Sequence, residues 1–240
     1  MKLNIERKNQ MKTVIKLFSL LVAVLLVTAC NLVSFGTEFQ TVNPSDVIIT
    51  EERSVKSFTG VDFSTFGKVN ITQGESESLT ITGSDNIVPL VTTTVSNGTL
   101  VIRMKENINI LGINSDNVLT FNITVKDLTK IKNSGAGLFT LDQLTTDSLN
   151  LTISGAGGIE IAGEADTVKI DISGAGDIKA ADLKIESAEV TISGLGNAEV
   201  WVTDLLTGKI SGAGNVRYYG TPQVDMEKTG IGTYESLGNK

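Results

Sequence analysis

The chain has 240 residues, with 20 Lys/Arg against 27 Asp/Glu, no His, one Cys, three Pro and 24 Gly. Without His there is no Ser–His or Cys–His nucleophile system and no imidazole zinc site, and a single Cys excludes an intrachain disulfide or a CxxC metal site. Charged residues make up 20% and apolar ones 40%, the balance of a packed protein and not of a disordered one, and nothing in the composition calls for a cofactor or a metal.

The chain opens on an address. Residues 1–16 carry Lys2, Arg7, Lys8, Lys12 and Lys16 against Glu6, and Leu17 to Val27 is apolar apart from Ser19, the n-region and h-region of a secretory signal. That apolar run is eleven residues, well short of the roughly 20 that a membrane-spanning helix needs. It ends in Val27-Thr28-Ala29-Cys30, which resembles the lipobox of bacterial lipoproteins. The resemblance implies cleavage behind Ala29 and lipidation of the Cys30 thiol. Residues 1–29 are thus expected to be the signal peptide, with Met11 as an alternative start. Residues 30–49 show no period and are expected to be the lipidated Cys and a flexible tether, reaching roughly 60 Å if fully extended. No Asp follows Cys30, so the inner-membrane retention signal of some lipoproteins is absent, which points to the outer membrane of a diderm bacterium, on its periplasmic or its outer face.

Removing residues 1–29 leaves 15 basic against 26 acidic side chains, a net charge of −11. Such a surface repels nucleic acid and anionic headgroups, so the expected partner at the membrane is the acyl chains of the anchor alone.

Residues 50–130 read as strands: Val69-Asn-Ile71, Leu79-Thr-Ile81, Leu100-Val-Ile102 and Phe121-Asn-Ile123-Thr-Val125, with Asn97-Gly98 as a hairpin turn. Lys105 to Asp116 is less regular and is expected to form a side loop.

From about residue 131 the sequence repeats. Ser134-Gly-Ala-Gly137, Ser154-Gly-Ala-Gly157, Ser173-Gly-Ala-Gly176, Ser193-Gly-Leu-Gly196, Ser211-Gly-Ala-Gly214 and a degenerate Thr229-Gly-Ile-Gly232 start 20, 19, 20, 18 and 18 residues apart. Aligning on the Ser gives columns. One position before it stand Asn133, Ile153, Ile172, Ile192, Ile210 and Lys228; three before, Ile131, Leu151, Ile170, Val190, Gly208 and Met226; five before, Leu149, Val168, Ala188, Leu206 and Val224; five after, Phe139, Ile159, Ile178, Ala198, Val216 and Tyr234. Apolar and polar residues alternate with period 2 on both sides of each turn, the pattern of half-buried strands. The two glycines permit a corner by positive φ or by close backbone approach. One such unit cannot bury its apolar side alone, whereas stacked units enclose a continuous core. The expected fold is therefore all-β, a single-stranded parallel β-helix over residues 50–240 with rungs of 18–20 residues. Its handedness is taken as right-handed by analogy with most parallel β-helices. Asn133 and Lys228 break the apolar column and are expected to cap the first and last rungs.

Six positions after the Ser lie Thr140, Glu160, Lys179, Glu199, Arg217 and Glu235, whose alternating charge reads as a ladder that fixes register. Asp177, Asn197 and Asn215 form a column directly after the corner, either capping the turn or facing a ligand. A calcium role is weaker, since Ca²⁺ takes about six to eight oxygens and the column offers one carboxylate. Trp201 either shares an exposed face with Tyr219 that holds a ligand, or fills the solenoid or packs against its C-terminal cap. Asp147-Ser148-Leu149 and Asp166-Thr167-Val168 fit a short O-glycosylation pattern that arises easily by chance.

Arg53-Ser-Val55-Lys-Ser-Phe58-Thr-Gly-Val61, Val69-Asn-Ile71-Thr-Gln73-Gly74, Ser78-Leu79-Thr-Ile81, Asn86-Ile87-Val88-Pro89, Asn97-Gly-Thr-Leu100-Val-Ile102, Thr124-Val125-Lys-Asp-Leu128 and the SGAG ladder together resemble the auto-transporter adhesin, head GIN domain family over about residues 50–235. The resemblance implies a secreted or lipid-anchored protein with a right-handed β-helix and supplies no catalytic residues. Two functions of different class are compatible with it. One is a non-enzymatic envelope protein that binds a polysaccharide or a protein along its solenoid face, with a passive envelope scaffold as its limiting case. The other is a polysaccharide lyase or hydrolase, which would need Ca²⁺-binding Asp clusters with a base, or paired carboxylates about 5 to 9.5 Å apart. Outside the signal the arginines are only Arg53, Arg103 and Arg217, and there is no repeated acid cluster beyond Asp171/Asp177 and Glu186/Glu189, so the binding reading leads.

Overall fold

A computed structural model describes residues 39–114 and 118–240; the expected signal peptide, Cys30 and the first part of the expected tether lie outside the described residues. The strands, in chain order, are β1 (Gln40–Val42), β2 (Ile48–Arg53), β3 (Gly60–Ser64), β4 (Phe66–Gln73), β5 (Ser78–Ser84), β6 (Val91–Ser96), β7 (Thr99–Met104), β8 (Ile108–Ile110), β9 (Thr120–Val125), β10 (Lys130–Asn133), β11 (Ala136–Ile153), β12 (Ala156–Ile172), β13 (Ala175–Ile192), β14 (Ala198–Ile210), β15 (Val216–Tyr219), β16 (Gln223–Lys228) and β17 (Tyr234–Ser236). A 3-10 turn, Val88–Leu90, precedes β6.

From β10 onward the architecture is the stacked parallel solenoid that the repeat predicts. β11 pairs in parallel with β12, β12 with β13 and β13 with β14, and β14 continues onto β15 and β16. The aligned columns are Cα partners: Asn133 faces Ile153, then Ile172, Ile192, Ile210 and Lys228 in unbroken succession. Their side chains stack into one core. Leu151, Ile170 and Val190 are fully buried, as are Ile153, Ile192 and Ile210, whereas Met226 and Val224 in the last rung are only partly covered.

The first rungs are threaded out of chain order. β10 packs against β3, and β3 against β7, all parallel; the first half of β11 packs against β4, and β4 against β9. The β3–β4 rung therefore lies between a rung made of β7 and β9 and the rung that starts the SGAG series. The edges of β9 and β7 are then covered by antiparallel strands: β5 on β9, β2 on β5, and β6 on β7. The expected uninterrupted parallel helix from residue 50 is thus preceded by an antiparallel cover over its open end, the usual way a sheet edge is protected. The β6–β7 hairpin turns at Asn97 (φ 48°) and Gly98 (φ 71°), both left-handed, as a two-residue hairpin turn requires.

Three further expectations change. The segment read as tether carries β1 and the start of β2, and β1 pairs in parallel with β8 inside the stretch read as a side loop. Asn133 does not cap an exposed edge, because β3 lies beyond it; it is fully buried, its Nδ2 donating to the carbonyls of Gly137 (2.9 Å) and Ala156 (3.3 Å). Aromatic packing fills the same region. Phe63 sits edge-on to Phe121 (5.1 Å between centroids) and to Phe139 (5.6 Å), the interplanar angles being 85° and 83°.

The SGAG corner is shaped by proximity. A Cβ built on the first glycine of each corner would lie 2.1 Å from the Gly135 carbonyl oxygen at Gly155, 2.1 Å from that of Gly155 at Gly174, and 2.2 Å from that of Gly174 at Gly194. No side chain fits where the backbone of the rung below already is. The corner also closes its hydrogen bonds in a repeated way: the N–H groups of Ser154 and Gly155 both donate to the Asn133 carbonyl (2.9 and 3.1 Å), and those of Ser173 and Gly174 to the Ile153 carbonyl (2.9 and 3.1 Å).

At the covered end, Glu77 clamps the turn into β3. Its carboxylate accepts from the backbone N–H of Ser57 (2.8 Å), a residue held at φ 61°, and of Phe58 (2.9 Å), whose ring is buried. These two bonds hold the Glu77 carboxyl below its ordinary value of 4.5.

Two outcomes follow. Gly194→Ala is expected to destabilise the domain by about 3 kcal/mol or more through the forced backbone shift, lowering Tm by roughly 6–12 °C, while Ala175→Ser at the exposed corner stays within about 0.5 kcal/mol; thermal unfolding by circular dichroism checks both. Glu77 has a folded-state pKa below its unfolded one, so its stabilisation is present above about pH 4.5 and is lost as pH falls through the lower, folded value. The stability gap between the native chain and Glu77→Gln, read from urea unfolding, is expected to be constant from pH 7 to 5 and to shrink below that.

Candidate functional site

The columns outside the core are set by the same register. Asp177, Asn197 and Asn215 stack with Thr233 into a hydrogen-bonded ladder. The Asp177 Oδ1 accepts from the backbone N and the Nδ2 of Asn197 (2.9 Å each). The Asn197 Oδ1 accepts from the N and Nδ2 of Asn215 (3.1 and 3.0 Å), and the Asn215 Oδ1 from the N and Oγ1 of Thr233 (3.0 Å each). Each side chain thus serves as the acceptor for the turn of the rung above, so this column holds the corner as well as facing outward.

The alternating column forms the pairs its charges predict. Lys179 lies 3.7 Å from the Glu160 carboxylate, a solvent-exposed pair of small energetic weight, and Arg217 2.7 Å from that of Glu199, whose side chain is half-buried. Below them Thr140 donates to the Asn70 Oδ1 (2.9 Å), and Asn70 to the Asn122 Oδ1 (2.9 Å), carrying the column into rungs that bear no SGAG signature. Two further ion pairs stand in separate columns on another stretch of the rungs, Lys169 3.0 Å from Glu189 and Lys209 3.0 Å from Glu227. The hydrogen bond and charge of Glu189, with Asp171 behind them, hold the Lys169 ammonium above its usual pKa.

A groove of about 450 Å³ crosses these columns, lined by the carboxylates of Asp142, Glu160, Asp177, Asp182 and Glu199 and by Lys179 and Arg217, with Asn197 at its edge. Its charge is predominantly negative. Among the described residues no three acidic or sulfur groups are arranged to hold a metal ion.

Trp201 and Tyr219 are direct neighbours on adjacent strands and both are half-buried. The structure brings to them three groups that the sequence columns do not single out. The Lys240 ammonium stands 5.6 Å from the Trp201 ring centroid and 5.5 Å from that of Tyr219, and bonds the Ala181 carbonyl and the Asp182 Oδ1. The signal that could have found this place is rung length. The rung from Ser173 to Ser193 has 20 residues between one of 19 and one of 18, and the surplus emerges where pairing jumps from Ala180 to Lys184 on β13, leaving Ala181 and Asp182 unpaired with β14.

Residues 57–222 match the family described as "Putative auto-transporter adhesin, head GIN domain". Among solved structures, a putative adhesin from Bacteroides fragilis NCTC 9343 is 26% identical, with a TM-score of 0.69 over 82% of this chain and all of that one. A putative lipid binding protein and a putative adhesin, both from Parabacteroides distasonis ATCC 8503, are 19% and 21% identical, each with a TM-score of 0.55 over 82% of this chain, and share the fold. No curated protein matches the chain.

Asn197→Ala removes the acceptor for two donors of Asn215 and is expected to cost about 1–2 kcal/mol, whereas Asp177→Asn keeps an Oδ1 in place and stays within about 0.5 kcal/mol. Urea midpoints at unchanged slope are the measurement. Equal costs at the two positions would show that the column does not act as an acceptor ladder.

Proposed function

Because the chain belongs to the auto-transporter adhesin, head GIN domain family, we propose that it is a lipid-anchored, non-catalytic binding module of the bacterial envelope, held at the outer membrane through Cys30 and facing outward. The observation that carries this reading is the solenoid face itself: a groove of about 450 Å³ spanning several rungs, whose polar side chains stand at fixed rung spacing and are locked to one another by ion pairs and carboxamide bonds. A surface pre-ordered in this way loses little side-chain entropy on meeting a ligand, which favours recognition of an extended partner. The similar structure from Bacteroides fragilis, named a "putative adhesin", supports the same reading. The lipobox at Val27–Cys30 supports anchoring, since the net charge of −11 after residue 29 gives the domain no electrostatic hold on an anionic membrane.

Cys30→Ser is expected to move the protein from the membrane fraction to the soluble fraction and to abolish incorporation of labelled fatty acid; membrane retention of the variant would overturn the anchor. Antibody to the folded domain is expected to label intact cells. Labelling only after permeabilisation would replace the adhesin reading with a periplasmic partner.

A further inference from the structure

We propose that Trp201, Tyr219, Asp182 and the Ala181 carbonyl form a recognition site for the side-chain ammonium of a lysine on a partner polypeptide, and that Lys240 is its tethered occupant. The inference rests on the binding-module reading and names the chemistry of its ligand.

The site already holds the group it would recognise. An ammonium carries three donors and no acceptor, and here it finds two aromatic faces within 6 Å, one carboxylate oxygen and one carbonyl oxygen. A cation within about 6 Å of a ring centroid is attracted by the quadrupole of the ring, and Trp is the strongest such partner. The carbonyl is available because of the mismatch in rung length: the residues between Ala180 and Lys184 have no partners in β14, so the ladder leaves the Ala181 oxygen free to accept from outside it. The Asp182 side chain is 75% exposed, so a ligand can reach the site from solution, while the Lys240 side chain, 31% exposed, is mostly covered in it.

The surroundings favour a basic partner. Asp182 also lines the groove, where five carboxylates face two cations, Lys179 and Arg217. An extended segment with one lysine in the cage would lay its remaining positive charge along that groove. Because the native occupant competes intramolecularly, the apparent affinity for an external lysine is lowered by the fraction of time that Lys240 holds the site.

The sole tryptophan of the chain is part of the cage, so its emission reports on the site without interference. Nα-acetyl-lysine amide would be titrated into the full chain and into Lys240→Ala, with Lys240→Leu, which keeps an aliphatic arm, as a second variant in case the first unfolds; circular dichroism verifies folding of each. The expected result is a saturable change in Trp201 emission that occurs at about fivefold lower ligand concentration in the Lys240 variants than in the native chain. It should be lost in Asp182→Asn combined with Lys240→Ala, and absent with Nα-acetyl-norleucine amide, which lacks the ammonium. No saturable change in a folded Lys240 variant would overturn the proposal, as would an equal response to the norleucine amide. A response to glucosamine oligomers in place of the lysine amide would overturn it in favour of an amino-sugar ligand. Labelling of intact cells is independent of this titration, so failure of the site leaves the envelope-binding reading standing.

Discussion

The registers of the SGAG solenoid depend on the corner where two backbones touch. At Gly155, Gly174 and Gly194 the position that a Cβ would occupy lies 2.1–2.2 Å from a carbonyl oxygen of the rung below. Van der Waals contact between carbon and oxygen begins more than an ångström farther out, so any side chain at these points would separate the rungs and break the ladder on both sides. With only hydrogen there, the corner N–H pairs of Ser and Gly reach one carbonyl of the rung below at 2.8–3.1 Å. Excluded volume and hydrogen bonding thus select the same registration. The φ of +127° at Gly157 is an addition to this requirement and not its basis, because most corner glycines need room and not a left-handed backbone.

Once the corner sets the registration, the columns inherit it. Ile153, Ile172, Ile192 and Ile210 fall beneath one another and bury the interior, and on the outside Glu160 meets Lys179 and Glu199 meets Arg217. The weights differ. The interior column excludes water and dominates stability, whereas the exposed ion pairs contribute little energy and act against slippage, since a one-residue slip turns outward groups inward. The Asp177–Asn197–Asn215 column stands between the two, exposed at Asp177 and half-buried at both asparagines, and bonded through every Oδ1 to the next turn.

The SGAG half of the fold was legible because its period, its apolar alternation and its glycines all report on the same stacking. The other half was legible only as strands. Period 2 in Leu79-Thr-Ile81 is identical whether β5 pairs parallel or antiparallel, and nothing local in Gly60–Gln73 says that β10 and β11 will stack on it while β7 and β9 take its other side. The burial of Asn133 is hidden in the sequence for the same reason. A polar residue in an apolar column suits an exposed edge, and recognising a buried one requires knowing that β3 lies beyond it and that two carbonyls, of Gly137 and Ala156, await its amide. Of the candidate site, Trp201 and Tyr219 were visible as the few aromatics of the repeat, and the structure makes them neighbours. Ala181, Asp182 and Lys240 were not visible, since they belong to no column.

Recognition in a repeat of this kind arises where residues escape the columns. A column position is committed: its backbone N–H and C=O are consumed by the rungs on either side, and its side chain by the ladder it stands in. Inside the stack, hydrogen-bonding capacity is left over where the count fails, as between Ala180 and Lys184. The 20-residue rung between Ser173 and Ser193 is longer than both its neighbours, and its surplus at Ala181–Asp182 is paid out on the side where the groove lies. There the Ala181 carbonyl, freed from the ladder, and the exposed Asp182 carboxylate hold the Lys240 ammonium over Trp201, the one large aromatic on the shorter rung beyond. Rung-length mismatch converts a structural defect into local chemistry without disturbing the corner, because the bulge is in the middle of β13 and the glycines of Gly174 and Gly194 remain in contact across it. The repeat thus supplies rigidity, and its departures from regularity supply the groups that can bind.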